Sequence, residues 1–219
     1  MKKFLTLIFI LIICIIPITG CNQSKEYSAE INPDDIALLT IFSFDGKSES
    51  KWGLMNLGHA FLMIENVSDN SLDIVDTTLD SNKAMCIGTW SIREHFGVWY
   101  NVESNYYNHY NKYDGRVSVT IGLSEQELDT LCEFIVGNDR WNPLNNCSKF
   151  ALNAWNSVAT EQERLIKPLI YTPGNIVNQL KQFENFEINR PMNTDNNFGY
   201  FDNSQYVSFE FEGGGYESV

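Results

Sequence analysis

Residues 145–155 read NNCSKFALNAW, a cysteine set where a helical pattern begins. Phe150, Ala151, Ala154, Trp155 and Val158 recur at helical spacing and predict one apolar face. Asn145 and Asn146 are suitable N-cap residues. Pro143 keeps the approach non-helical. Cys147 is therefore expected in the first turn, where backbone N–H groups and the helix dipole favour a thiolate. The same position equally suits a small apolar residue at a helix start.

A thiolate nucleophile needs a base, and the chain has three histidines. His95, in SIREHFGVW, and His109, in NYYNHYNKY, lie among aromatic or charged residues without a clean pattern. His59 opens GHAFLMIEN (58–66), a mostly apolar run. Polar residues 66–71 follow, then LDIVDTT (72–78). This pattern predicts a β-hairpin with His59 at the outer end of its first strand. Gly58 ahead of it permits a close backbone approach.

The N-terminus bears on the compartment. MKKFLTLIFILIICIIPITGC has two lysines, an apolar run and small residues before Cys21. These are the parts of a secretory signal, and the run falls short of the ~20 apolar residues of a spanning helix. Ile18-Thr19-Gly20-Cys21 resembles the lipobox of bacterial lipoproteins. The resemblance implies removal of residues 1–20, lipid on Cys21, and anchoring at the outer face of a membrane in the bacterial envelope. Residues 21–35 then read as the lipidated cysteine and a polar tether.

Losing Lys2 and Lys3 from 15 basic residues leaves 13 against 28 acidic ones. That surface argues against nucleic acid and against an electrostatic grip on anionic lipid. What remains is long enough for one domain with a real core. Besides Cys14 and Cys21, the chain carries Cys86, Cys132 and Cys147. An odd count in an exported protein leaves at least one thiol free or paired outside the chain. Cys132 falls on the apolar face of a helix predicted over 124–138, with Ser124 and Glu127 as a capping box and Gly137 to close it. Cys86, in AMCIGTW, reads as a buried strand or turn residue. A Cys86–Cys132 disulfide is compatible with the sequence but not indicated by it.

The order of these elements resembles the circularly permuted NlpC-like, papain-like cysteine proteins. That group includes the lecithin retinol acyltransferase type and several bacterial lipoproteins and amidases. Gly58-His59 with its strand matches the early element, and Asn146-Cys147-Ser148-x-Phe150-Ala151 the late one. Between them RVSVTIGL (116–123) reads as a strand followed by the Ser124 helix. Tyr171-Thr172-Pro173 with Ile176 and Leu180 resembles the helix that ends the domain. The resemblance implies an α+β domain over 36–189, an antiparallel sheet packed by helices, with the cysteine helix at the sheet edge. IALLTIFSF (36–44) is expected as the first strand. Residues 190–219 form an Asn- and Gly-rich, acidic C-terminal segment, with an edge strand expected near 207–211.

It also implies roles: Cys147 as nucleophile, its backbone N–H in the oxyanion hole, and His59 as general base and acid. A third polar residue orients the imidazole. Asp76 is the expected one from the hairpin register, with Thr77, Thr78 and Asp73 as competitors. Asn146 supplies a side-chain hydrogen bond or caps the helix. The implied reaction is amide cleavage through an acyl-enzyme, on peptidoglycan stem peptides or other surface peptides. Acyl transfer and ester cleavage use the same machinery. A non-catalytic lipoprotein using this fold as a binding module is the reading from another class. No metal or cofactor motif is present. The stretch FGVWYNVESNYYNHYNKYD (96–114) holds seven aromatic residues among amides. It reads as a long, partly packed loop or as a groove for a sugar or peptide.

Overall fold

A computed structural model describes residues 32–46, 58–192, 194, 197–203 and 205–210. The signal segment, Cys21, most of the tether and the Gly213–Gly215 run lie outside the described residues. The elements run β1 (Ala37–Phe44), β2 (His59–Asn66), β3 (Leu72–Ile74), β4 (Thr77–Leu79), β5 (Ala84–Ile92), β6 (His95–Tyr100) and α1 (Val102–Tyr110). They continue with β7 (Val117–Leu123), α2 (Glu125–Gly137), α3 (Cys147–Val158), α4 (Pro173–Leu180), β8 (Glu187–Ile188), β9 (Gly199–Asp202) and β10 (Gln205–Ser208). The architecture is α+β. One antiparallel sheet has the order β10-β9-β6-β5-β2-β1-β7-β8, and β3 with β4 forms a separate ribbon.

The central strands are apolar on both sides because both sides are covered. Every residue of β1 is buried. Ala37, Leu39 and Ile41 of β1, with Ala60, Leu62 and Ile64 of β2, share a core with Phe150, Ala151, Ala154 and Trp155 of α3 and the apolar residues of α2 and α4. On the opposite face Phe42, Phe44, Phe61 and Met63 pack with Cys86, Tyr113 and Met192. Phe42 and Phe61 stack there with centroids 5.0 Å apart. Each such fully buried side chain contributes roughly 1.5–3 kcal/mol. Two polar residues buried in β1 are satisfied. Thr40 bonds Thr120 across the sheet, and the Ser43 hydroxyl donates to Pro173 O, tying the end of β1 to the start of α4.

Several expectations hold locally. The Ser124 hydroxyl accepts from Glu127 N while the Glu127 carboxylate accepts from Ser124 N, so α2 opens with a capping box. The helix runs through Gly137 and is capped by Asn138. Thr172 caps α4, with Pro173 in its first turn. Cys86 is buried in β5, Cys132 packs half-buried against the main core, and Cys86, Cys132 and Cys147 are all free thiols.

Other expectations are corrected. The His59 strand does not pair with LDIVDTT. β2 lies between β1 (Phe44↔His59, Ala37↔Asn66) and β5 (Leu62↔Ile87). A run buried on both faces seeks strands at both edges, and Leu72–Ile74 is too short to supply one. It turns back at Val75-Asp76 onto Thr77–Leu79 instead. α3 does not sit at a sheet edge but packs across β2, β5 and β1, with its N-terminus at the His59 end. The stretch 96–114 is not a loop: it forms most of β6 and all of α1. The sheet also continues past residue 189. Met192 is fully buried, β9 pairs with β6, and β10 is the edge strand at 205–208, a little earlier than expected.

Gly58 sets the entry to β2. Its φ is +73°, and a Cβ there would fall on the Phe44 carbonyl oxygen. Gly58→Ala is expected to lower stability by about 1–3 kcal/mol from the left-handed backbone alone, with the collision added. Urea unfolding followed by circular dichroism measures this. An unchanged midpoint would mean that the β1–β2 corner does not hold this geometry.

Candidate active site

Cys147 and His59 reach each other from opposite faces of the sheet. α3 lies on the main-core face and begins with Cys147. Asn146 is its N-cap, accepting from Lys149 N at 3.1 Å and donating through Nδ2 to Tyr171 O at 3.0 Å. The cap fixes the first turn, and the Tyr171 bond ties it to the strap ahead of α4. His59 is the first residue of β2 and shares the face of Phe61 and Met63. At that strand end the sulfur and the imidazole hydrogen-bond, and Ala60 N–H donates to the sulfur as well.

The carboxylate beside the imidazole is Glu103, not Asp76. Glu103 Oε1 accepts from His59 Nε2 at 2.8 Å and from Trp90 Nε1 at 2.7 Å. With Nε2 engaged there, Nδ1 is the nitrogen left to face sulfur. Asp76 sits in the turn between β3 and β4 and accepts from the Tyr100 hydroxyl at 3.0 Å. Burial raises its pKa, against the pull of that hydrogen bond. The hairpin that would have set Asp76 opposite His59 does not form, because β1 and β5 occupy both edges of β2. Thr77 and Thr78 go with the same ribbon, as does Asp73, which accepts from Thr78.

Glu103 is held by its surroundings. It is fully buried in the first turn of α1, where the helix dipole favours a negative charge. Asn101, in a left-handed conformation at the N-cap, fastens α1 to β5: its Oδ1 accepts from Cys86 N and its N–H donates to Cys86 O. Gly88 of β5 lies directly under the carboxylate, where a Cβ would strike Oε1. Oε2 is buried without a hydrogen-bond partner among the described residues. A glycine inside AMCIGTW is the one sequence signal for such a close approach.

An aromatic wall shields the pair. The His59 ring lies 4.2 Å from Trp90, 5.6 Å from Phe61 and 6.1 Å from Tyr113, centroid to centroid, and Trp90 stacks in turn on Tyr106. The electrostatics follow from these contacts. Burial alone would lower the His59 pKa, but the Cys147 sulfur and then Glu103 overcome it and push it up to about 10. Burial likewise opposes the Cys147 thiolate. The charge and hydrogen bond of His59 outweigh it, with help from Ala60 N–H and the Ser148 hydroxyl, and bring the thiol below its ordinary value. Both shifts favour the thiolate–imidazolium form of the pair.

The other histidines are elsewhere. His95 Nε2 bonds Asp139 Oδ1 at 2.7 Å, and its ring stacks on Tyr200 at 5.0 Å. Asp139 also accepts from Val98 N, so this pair clips the end of α2 to β6. His109 is exposed in the last turn of α1. Among the described residues no group of three His, Cys, Asp or Glu side chains could hold a metal, and no helix is long and apolar enough to cross a membrane. Comparison with protein-family models, with curated proteins and with solved structures finds no match in any of the three.

Removing the Glu103 charge should weaken the imidazolium and, through it, the thiolate. Glu103→Gln is expected to move the midpoint of Cys147 alkylation by iodoacetamide to higher pH. Gly88→Ala, which displaces the same carboxylate, should shift it in the same direction. Coinciding profiles for Glu103→Gln and the parent would remove Glu103 from the site.

Proposed function

We propose that the protein is a thiol hydrolase of the permuted papain-like kind, cleaving an amide bond through an acyl-enzyme. The observation that carries this reading is the hydrogen-bonded chain Cys147–His59–Glu103, with the thiol half-buried at a helix N-terminus. Cys147 adds to the substrate carbonyl carbon, and the oxyanion develops beside the Cys147 backbone N–H, which is free of helical bonding in the first turn. The amine departs with the proton held by the imidazolium, leaving a thioester. The now neutral His59 takes a proton from water as it attacks the thioester, and the sulfur leaves as thiolate beside the restored imidazolium. Glu103 keeps the ring oriented and its charge compensated throughout, and Trp90 holds Glu103.

The lipobox-like segment makes the bacterial envelope the proposed location, with the chain anchored through lipid on Cys21. Peptidoglycan stem peptides or other surface peptides are the proposed substrates. The test is incubation with muropeptides and a panel of acyl esters. The parent should turn over at least one class. Cys147→Ala should abolish that turnover, and His59→Ala should reduce it by about 10²–10⁴-fold. The rate should rise with pH as Cys147 ionises below the ordinary thiol range. It should then hold through neutrality and fall as His59 loses its proton near pH 10. Equal turnover by Cys147→Ala, or no covalent adduct on Cys147 with any acyl probe, would contradict the hydrolase reading.

A further inference from the structure

Four aliphatic side chains stand out of the surface in the segments that flank α3. Leu144 is 85 % exposed, Ile166 75 %, Leu169 99 % and Ile170 69 %. Leu144 lies three residues before Cys147. The others belong to the strap 159–172 that joins α3 to α4. This strap is held in place by amide side chains. Asn156 bonds both N and O of Leu165, and Gln179 bonds both N and O of Ile166. Asn175 donates to Ile170 O and Asn146 to Tyr171 O. Leu165 turns inward at 3 % exposure, while its neighbours are held outward. The exposure therefore belongs to a fixed backbone. Aliphatic side chains held exposed on a fixed backbone form a rim suited to an interaction surface.

Charge selects the partner. Residues 140–171 carry four basic side chains (Arg140, Lys149, Arg164, Lys167) against two acidic ones (Glu161, Glu163), and Glu163 is buried. The whole chain has 15 against 28. This segment is more basic than the chain as a whole. Exposed aliphatic side chains in a segment with a basic excess match a bilayer with anionic headgroups. We propose that this rim docks on a membrane surface and so presents the Cys147 end of the molecule to the bilayer. The overall net charge, which argues against a grip on anionic lipid, conceals this local excess.

The chain outside the described residues is long enough to allow it. β1 begins at the Asn66 end of the sheet, and the thiol lies at its Phe44 end. Eight residues of β1 separate these ends by about 26 Å. Residues 21–31, fully extended, reach about 36–40 Å. An anchor at Cys21 would thus permit the far end to turn onto the same membrane.

The test uses the chain from residue 22, which keeps every described element but cannot carry lipid on Cys21. Its co-sedimentation is measured with vesicles of phosphatidylcholine alone and with phosphatidylglycerol added. Binding is expected with the anionic vesicles, weakened by salt. The combined variant Leu144→Ser, Leu169→Ser, Ile170→Ser is expected to lower the partition constant by about tenfold or more. Phe96→Ser, at another exposed apolar residue, should leave it unchanged. No binding to either vesicle, or equal binding by the triple variant, would overturn the proposal. So would concentration-dependent self-association that the triple variant abolishes, since a second copy would then be the occupant. Binding is read without turnover, so the result is independent of the hydrolase reading.

Discussion

A buried carboxylate calls for positive charge beside it, and in this protein Glu103 meets His59. The requirement runs outward through the site. An isolated charge inside a protein is costly, and the imidazole, raised first by the Cys147 sulfur and then by Glu103, is favoured in its protonated form. A protonated imidazole beside a thiol in turn favours the thiolate. The helix N-terminus behind Cys147 and the Ala60 N–H stabilise the same negative charge. Three side chains from three separate elements therefore line up as Glu103, His59 and Cys147, an order that favours alternating charge. Removing one partner from such a chain leaves an uncompensated charge, which costs more than the pair contributes.

The fold around this chain is arranged to hold it. α1 carries Glu103 and is fastened to β5 through Asn101. Gly88 leaves space for the carboxylate, and Trp90 both bonds it and covers His59. On the other face α3 packs across the three central strands, so that its first turn projects at the end of β2. At the His59 end of β2 the imidazole and the sulfur make contact. The strap after α3 and the first turn of α3 are joined by Asn146, which serves both as cap and as donor to Tyr171 O. Any tilt of α3 would thus be felt at the aliphatic rim and at the thiol together.

What the sequence made legible follows from locality. The apolar stripe and asparagine cap of α3, the capping box of α2, the start of β2 at His59 and the strand at 117–123 each arise from short-range patterns. The neighbours of β2 do not. Its continuous apolar run calls for cover on both faces but does not say which strands supply its edges, and the nearest run downstream was the wrong choice. Asp76 was misplaced for that reason alone. Glu103 was hidden differently. It sits in a stretch so rich in aromatic and amide residues that no helical stripe stands out, and its role depends on how α1 folds back over β5. Gly88 was the visible clue, a glycine in a strand pattern that required something to approach.

The protonation state of His59 in the resting protein tests this account most directly. With ring nitrogens labelled with nitrogen-15, both His59 nitrogens should report protonated imidazolium at neutral pH, titrating near pH 10. Glu103→Gln should lower that value. A neutral His59 ring at pH 7 that titrates near the ordinary value of about 6.5 would contradict the carboxylate–imidazolium–thiolate arrangement on which the account rests.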